Sequence, residues 1–406
     1  MTITMLASAF AGCLSDDEKV DLDASDGGYD YASNVDNHRM LMGDVCDIKD
    51  LSGAYDWDGV KDIYENGEHA EKSDGSYRTL MGFADASGKN HAYDGYYGAD
   101  GSWNDFVSAA IDGTGPFADE SNTVRDQATE KGIQNGVMTA YAIHELNAAI
   151  IKAEAGNWGP DDAQHAWDEG WAFYHGPDDS NHDYDGCGPY ATADKRAGNF
   201  GTANSGGTAA TNVATLAAMN AGLTAMQNED MQGLVDARDE ILKNIVIVYS
   251  QASVRYASKM TDDLVAGDTS DYDKHQAEGH SFYRVIEAYV AEYTSVCYNM
   301  VSHAVSADSS QASCEGYSYY DAATDNNSMN YTGCYNIVSH QTTEDDQATC
   351  EAYGWMANYY SNQIVAMFDL ANSGDATADY EADIRAWLQP VWDHYGITAT
   401  DIGTLQ

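Results

Sequence analysis

The chain has 406 residues and carries 19 Lys plus Arg against 66 Asp plus Glu, a net charge of −47. Phosphate contacts need Lys and Arg, so this balance excludes a general nucleic-acid binder and makes an anionic membrane surface a poor partner. Cations are the natural ligands of such a field, and much of the charge also reads as a solvated surface suited to salty water. Disorder does not follow, because 43% hydrophobic and 11% aromatic residues suffice for a sizeable core. Tyrosine outnumbers phenylalanine 29 to 8, which brings apolar bulk with a hydroxyl that can bond or bind metal. Five prolines in the whole chain permit long helices.

Met1–Ala11 is short and apolar and leads through Gly12 to Cys13 and a polar run, Leu14-Ser-Asp-Asp-Glu18. Small residues before a Cys at the end of an apolar run resemble a prokaryotic lipoprotein signal, although Phe10 stands where Leu is usual and no basic residue precedes the run. The resemblance implies lipidation of Cys13, a periplasmic or cell-surface location, and membrane attachment only through that lipid. No apolar run reaches the roughly 20 residues of a spanning helix. Residues 1–27 are thus expected to be a signal and acidic tether, and residues 28–406 a single helical domain.

Along that domain, Tyr55–Phe83 has a helical pattern, and the Gly-, Asp- and Tyr-rich residues 85–104 read as a long loop. Residues 121–155 form a strong helix in which Ile133, Val137, Ala140, Tyr141, His144, Leu146 and Ile150 recur at helical spacing. Asp161 or Asp162 can cap the next helix, which holds Trp167, Trp171 and Phe173; a loop then runs from Gly176 to Gly188. Thr211–Gln227, Met231–Met260, Asp271–Tyr293, Ala348–Leu370 and Tyr380–Tyr395 complete the helical blocks. Ile241–Val248 alone could be a strand, but its flanks continue the helical period. Sustained strand alternation is missing, so the expected fold is all-α, with duplicated helix-hairpin units packed as a bundle-like domain with long acidic loops.

Two internal matches support duplication. Glu169-Gly-Trp-Ala-Phe-Tyr174 mirrors Glu278-Gly-His-Ser-Phe-Tyr283, placing the units at about 121–180 and 231–295. Cys297-Tyr-Asn-Met-Val-Ser-His303 recurs as Cys334-Tyr-Asn-Ile-Val-Ser-His340, and Cys314-Glu-Gly-Tyr317 as Cys350-Glu-Ala-Tyr353, a tandem repeat over 297–353. Apart from Cys13, six cysteines remain, an even number that suits disulfides in an exported chain. The simplest pairing is Cys297–Cys314 and Cys334–Cys350 within repeats, leaving Cys46–Cys187. Short loops of this kind each stabilise by about 3 kcal/mol in the chain-entropy model. Zinc is the weaker reading, since no C-x-x-C spacing occurs.

His165 and Glu169, four apart, share a helix face, and so do His275 and Glu278, three apart. A Gly after each Glu costs about 1 kcal/mol in a helix relative to Ala, but lets a neighbouring helix or ligand come close. Imidazole and carboxylate at such spacing on facing helices are how bundles build transition-metal sites. The expected ligands are therefore His165, Glu169, His275 and Glu278, with His144 and His280 as further candidates, the two Glu facing one another across the duplicated core. The competing reading is a pair of duplicated packing motifs, each with a buried, hydrogen-bonded Glu. Glu287 is also a candidate to face inward. Lys195, Arg196, Arg255, Lys259 and Arg284 are expected to pair with buried carboxylates. Nucleophile and phosphate signatures are absent, and His144-Glu145-Leu-Asn-Ala lacks the second His of a zincin helix.

At Asp168–Tyr174, Asp194-Lys-Arg-Ala-Gly-Asn-Phe-Gly201, Tyr55–Glu65 and Ser76-Tyr-Arg-Thr-Leu80, the sequence resembles the algal low-iron-inducible periplasmic iron-assimilation family, over about residues 40–300. The tandem Cys segment lies largely beyond the resemblance. It implies an extracytoplasmic, non-catalytic protein that captures ferrous or ferric iron for uptake, with other divalent cations as further ligands and a membrane iron transporter as a partner. An imelysin-like helical metallopeptidase and a ligand-free surface-structural protein are the alternatives.

Overall fold

A short hairpin opens the described part of the chain. β1 (Ser25–Asp26) and β2 (Tyr29–Asp30) pair antiparallel across Gly27 and Gly28, whose φ angles of 58° and 93° are the left-handed values such a tight turn requires. The computed structural model describes residues 22–89, 92–178, 182, 184, 186–321 and 331–406; Cys13, the apolar leader and most of the tether lie outside them. Among the described residues no helix is long and apolar enough to cross a membrane.

The fold is mostly helical. After α1 (Asp36–Arg39) come α2 (Leu41–Gly53) and α3 (Trp57–Asn66), the last capped by the Asp56 side chain on the Gly59 amide. The helix expected to run from Tyr55 to Phe83 stops at Gly67, which has φ 70°, and a short helix resumes at Leu80–Ala84. The expected loop over 85–104 instead contains a helical turn at Ala92–Tyr97 and the start of α4 (Ser102–Asp112), where aromatic side chains buried in the core outweigh the Gly-rich composition. α5 (Asn122–Lys131) continues through a π-helical stretch at Gly132–Val137 into α6 (Met138–Glu154), so the helix anticipated over 121–155 forms with one local change of pitch. Gly136 makes that stretch possible at close quarters: a Cβ there would lie 2.3 Å from the Trp103 ring.

α7 (Ala163–His175) packs on α6; Asp162 holds its N-cap position without making a side-chain cap. α8 (Pro189–Phe200) and α9 (Ala210–Gln227) lead to the 36-residue α10 (Met231–Ala266), capped by Asp230 on the Gly233 amide and ended by left-handed Gly267. Ile241–Val248 lies inside α10 and is helical. α11 (Thr269–Val290) packs along α10 as α7 packs along α6, so each matched Glu-Gly segment lies on the second helix of a packed pair. One hydrophobic core runs through all these helices, from Tyr29 and Met42 to Trp392 and Ile402.

The tandem Cys segment is not helical throughout. β3 (Val296–Asn299), β4 (Tyr317–Tyr320), β5 (Gly333–Asn336) and β6 (Tyr353–Met356) form two small sheets, β3 antiparallel to β6 and β4 antiparallel to β5. Strands thus pair between the two repeats, while Cys297–Cys314 and Cys334–Cys350 close within each; Cys46–Cys187 is the third disulfide. The helix expected over Ala348–Leu370 is therefore split into a turn, β6 and α12 (Tyr359–Met367). α13 (Tyr380–Tyr395) closes against α10, as its periodicity predicts.

Candidate metal centre

Three segments distant in sequence meet at Glu169: α1 brings His38, α6 brings Glu145, and α7 brings His165 together with Glu169. A buried guanidinium fixes α1. Arg39, 1% exposed, donates Nε and Nη2 to the two oxygens of Asp26 at 2.6 Å each, and Nη1 to Asp36 at 2.8 Å and the Asp23 carbonyl at 2.7 Å. Such a bidentate pair, its remaining donor satisfied, orients the short helix that carries His38. Arg78, in the Ser76–Leu80 segment, donates Nε to Asn37 beside it.

His38 Nε2 and His165 Nε2 each lie 3.2 Å from Glu169 Oε1. That oxygen is buried and has no hydrogen-bond partner in acceptable alignment, and His38 Nδ1 is likewise orphaned. A buried polar atom normally finds a partner, and two ring nitrogens converging unaligned on one carboxylate oxygen make a donor set that a cation could satisfy. The neighbouring contacts reinforce this. Ser33 Oγ donates to Asp168 Oδ2 at 2.7 Å, so it receives the Nδ1–H of His165 at 2.9 Å. Neutral His165 therefore carries its proton on Nδ1 and turns the Nε2 lone pair toward Glu169. Asp168 is itself held by Tyr29 OH at 2.6 Å and the Ser33 amide at 2.8 Å. A carboxylate and hydroxyl behind a ligating histidine set its tautomer and ring orientation in metal sites.

The charges are matched to a cation. Burial, and next the charge of Glu169, pushes Glu145 well above the ordinary carboxyl range, so Glu145 is the donor in the hydrogen bond the two share. Burial also pushes Glu169 upward, but His38, His165 and the bond from Glu145 outweigh it and hold Glu169 below that range. Burial above all lowers His38, to about 3, against the charge of Glu169. For His165 burial lowers the pKa, yet the adjoining Glu169 carboxylate raises it more. Phe83, Tyr141 and Phe173 wall the site: the His38 ring lies 6.1 Å from Phe83 and 5.7 Å from Phe173. Of the four, His165 is the most exposed, at 21% of its side chain, and gives the site its route to solvent.

Of the residues picked from sequence, His165 and Glu169 come together here. His144 stands at the margin, Nε2 3.8 Å from Glu145 Oε1. The others lie in a second group. Glu278 accepts from Tyr256 OH at 2.8 Å, His275 Nδ1 is 2.6 Å from Asp263, and His280 stacks on Phe106 with Nδ1 3.3 Å from the Phe368 carbonyl. Among the described residues Glu169 and Glu278 share no partner: His38, Glu145 and His165 surround the first, and Tyr256 engages the second. Glu287 is buried and accepts from Tyr96 and Tyr97. The expected carboxylate pairing of the scarce cations does not hold among the described residues: Arg196 lies over Tyr256 and Phe282, and Arg284 over Tyr97, Trp103 and Phe106. Aromatic faces replace carboxylates there, and Arg39 takes the buried ion pair instead. His38 and Glu145, which also border Glu169, do not stand out in the sequence. Glu145 adjoins His144, so the helix was legible but its inward face was not; His38 sits in a one-turn helix with no period to read.

The family model of low iron-inducible periplasmic proteins (Fea1) matches residues 7–278, about two thirds of the chain. It begins nearer the N-terminus than the resemblance at about residue 40, and it ends before the tandem Cys repeat. Comparison with curated proteins and with solved structures returns no match.

Proposed function

Since the chain belongs to the low iron-inducible periplasmic protein family, we propose that it is a non-catalytic extracytoplasmic protein that captures iron for uptake, holding the ion between His38, Glu145, His165 and Glu169. The observation that carries this reading is the convergence of two imidazole Nε2 atoms, 3.2 Å away, on the orphaned Oε1 of Glu169 with Glu145 beside it. Two imidazoles and two carboxylates form an N/O donor set suited to iron among the first-row metals. An ion there would displace the proton that Glu145 shares with Glu169 and any proton on His165 Nε2, converting an uneasy buried cluster into a coordinated one. Lipidation at Cys13 would keep the loaded protein at the membrane, where a transporter could receive the metal.

Equilibrium dialysis of the full chain against ferrous iron under anaerobic conditions tests the site. The wild-type protein should retain a tight equivalent that Glu169→Gln or His165→Ala removes, with unchanged helical circular dichroism. Equal retention by both variants would refute the assignment. The pair Glu278→Gln and His275→Ala serves as the control, since those residues lie outside the cluster and should leave retention intact.

A further inference from the structure

A second group of potential ligands lies on the surface beyond the iron site. Asp47 on α2 and Glu68 and His69 in the turn after α3 each place a ligand atom within 4.8 Å of the others. His69 Nε2 is 2.7 Å from Asp47 Oδ2, and its Nδ1 is 3.4 Å from Tyr184 OH. The His69 ring lies against the backbone of α2 because position 43 is glycine: a Cβ on Gly43 would sit 2.6 Å from the ring. Cys46, next to Asp47, is bonded to Cys187, and the Tyr184 ring lies 5.6 Å from the His69 ring.

An acidic surface group would not by itself make a site, but a buried oxygen here has no partner. Asp44 is fully buried, and its Oδ1 accepts the backbone N–H groups of Glu68 at 3.1 Å and His69 at 2.9 Å. Its carboxylate is therefore turned into the very turn that supplies two of the three ligands, and Oδ2 is left with no hydrogen-bond partner. Burying a carboxylate oxygen unpaired is costly, and a cation above the turn would offset that cost. Its charged neighbours include His69 and Asp47, two of the three ligands.

We propose that Asp47, Glu68 and His69, with Asp44 beneath them, form a second cation site that takes a divalent transition-metal ion. One imidazole among carboxylates selects zinc-like or ferrous ions over calcium, which prefers oxygen alone. On binding, the ion takes the place of the proton between His69 Nε2 and Asp47 Oδ2, and that proton leaves to solvent. Asp47 and His69 are 44% and 25% exposed, so the site can fill directly from outside.

Zinc is the probe, being redox-inert. Calorimetric titration of the full-length protein in about 0.5 M NaCl, which screens diffuse binding to the acidic surface, should give two tight equivalents. Asp47→Asn or His69→Gln should each remove one, weakening that site at least tenfold, while Glu169→Gln removes the other. Asp47→Asn changes an exposed side chain, so it keeps the test valid should His69→Gln disturb the turn. A single wild-type equivalent lost only with Glu169→Gln would overturn this site and leave the iron site standing. One lost only with Asp47→Asn would do the reverse. Two equivalents retained in both Asp47→Asn and His69→Gln would also overturn it.

Discussion

Ser33 decides which face His165 offers to the cluster. Its hydroxyl hydrogen goes to Asp168, so the serine oxygen can only accept from His165 Nδ1. Ser33→Ala frees the ring to turn or change tautomer while leaving all four proposed ligands in place. Losing a hydrogen bond that orients a ligating ring weakens metal affinity about 10–100-fold. We expect that drop in an iron titration with an unchanged melting temperature of the metal-free protein; an affinity equal to wild type would show that Asp168 alone orients the ring. Sequence revealed His165 and Glu169 because a helix turns i and i+4 onto one face. Ser33 and His38 come from an irregular segment, which Arg39 locks to Asp26 and which Tyr29 and Ser33 tie to Asp168 on α7. Such long-range placement leaves no periodic trace. At Glu278 the local spacing was read correctly, yet Tyr256 rather than a second carboxylate meets it.

The two matched Glu-Gly segments show what a helical glycine does for an element. A Cβ on Gly170 would lie 2.9 Å from Leu146 Cδ2, the mobile end of a flexible side chain, whereas one on Gly279 would lie 2.1 Å from the ring of Phe368. Alanine gains about 1 kcal/mol of helix propensity over glycine at either place. At Gly170 a small shift of Leu146 lets much of that gain survive, so Gly170→Ala should be close to neutral. At Gly279 a buried ring must move, and overpacking costs about 1–3 kcal/mol. Chemical denaturation should therefore rank Gly279→Ala clearly below Gly170→Ala; the opposite order would mean that α11 can slide away from Phe368. Helices were legible wherever an apolar stripe persisted, as in α6, α10 and α13. They were misread where composition and packing disagree: the Gly-rich stretch after residue 85 folds because Tyr93 and Trp103 are buried, and residues 348–370 read as helix although β6 pairs with β3. A strand of four residues paired to another repeat is too short to show alternation.

On the scale of the whole molecule, charge and fold act on different steps. The family match ends at residue 278, and beyond it the tandem repeat ties its strands across repeats and its cysteines within them. Its small sheets add no ligand to the candidate iron cluster, whose four residues lie within the matched region. The net charge of −47 surrounds that cluster without forming it. A diffuse field concentrates cations at the surface and can raise association rates by about 10–10³-fold, and salt screens it over a Debye length near 10 Å at 0.1 M. Coordination inside a buried site is screened far less, because the ligands touch the ion and exclude solvent. Stopped-flow measurement of ferrous iron binding should therefore show association slowing by about tenfold or more from about 10 mM to 0.5 M NaCl, with dissociation nearly constant. Affinity would then fall with salt entirely through the on-rate. If salt instead accelerates dissociation and leaves association unchanged, the ion is held by exposed carboxylates, and the buried cluster at Glu169 is not where iron resides.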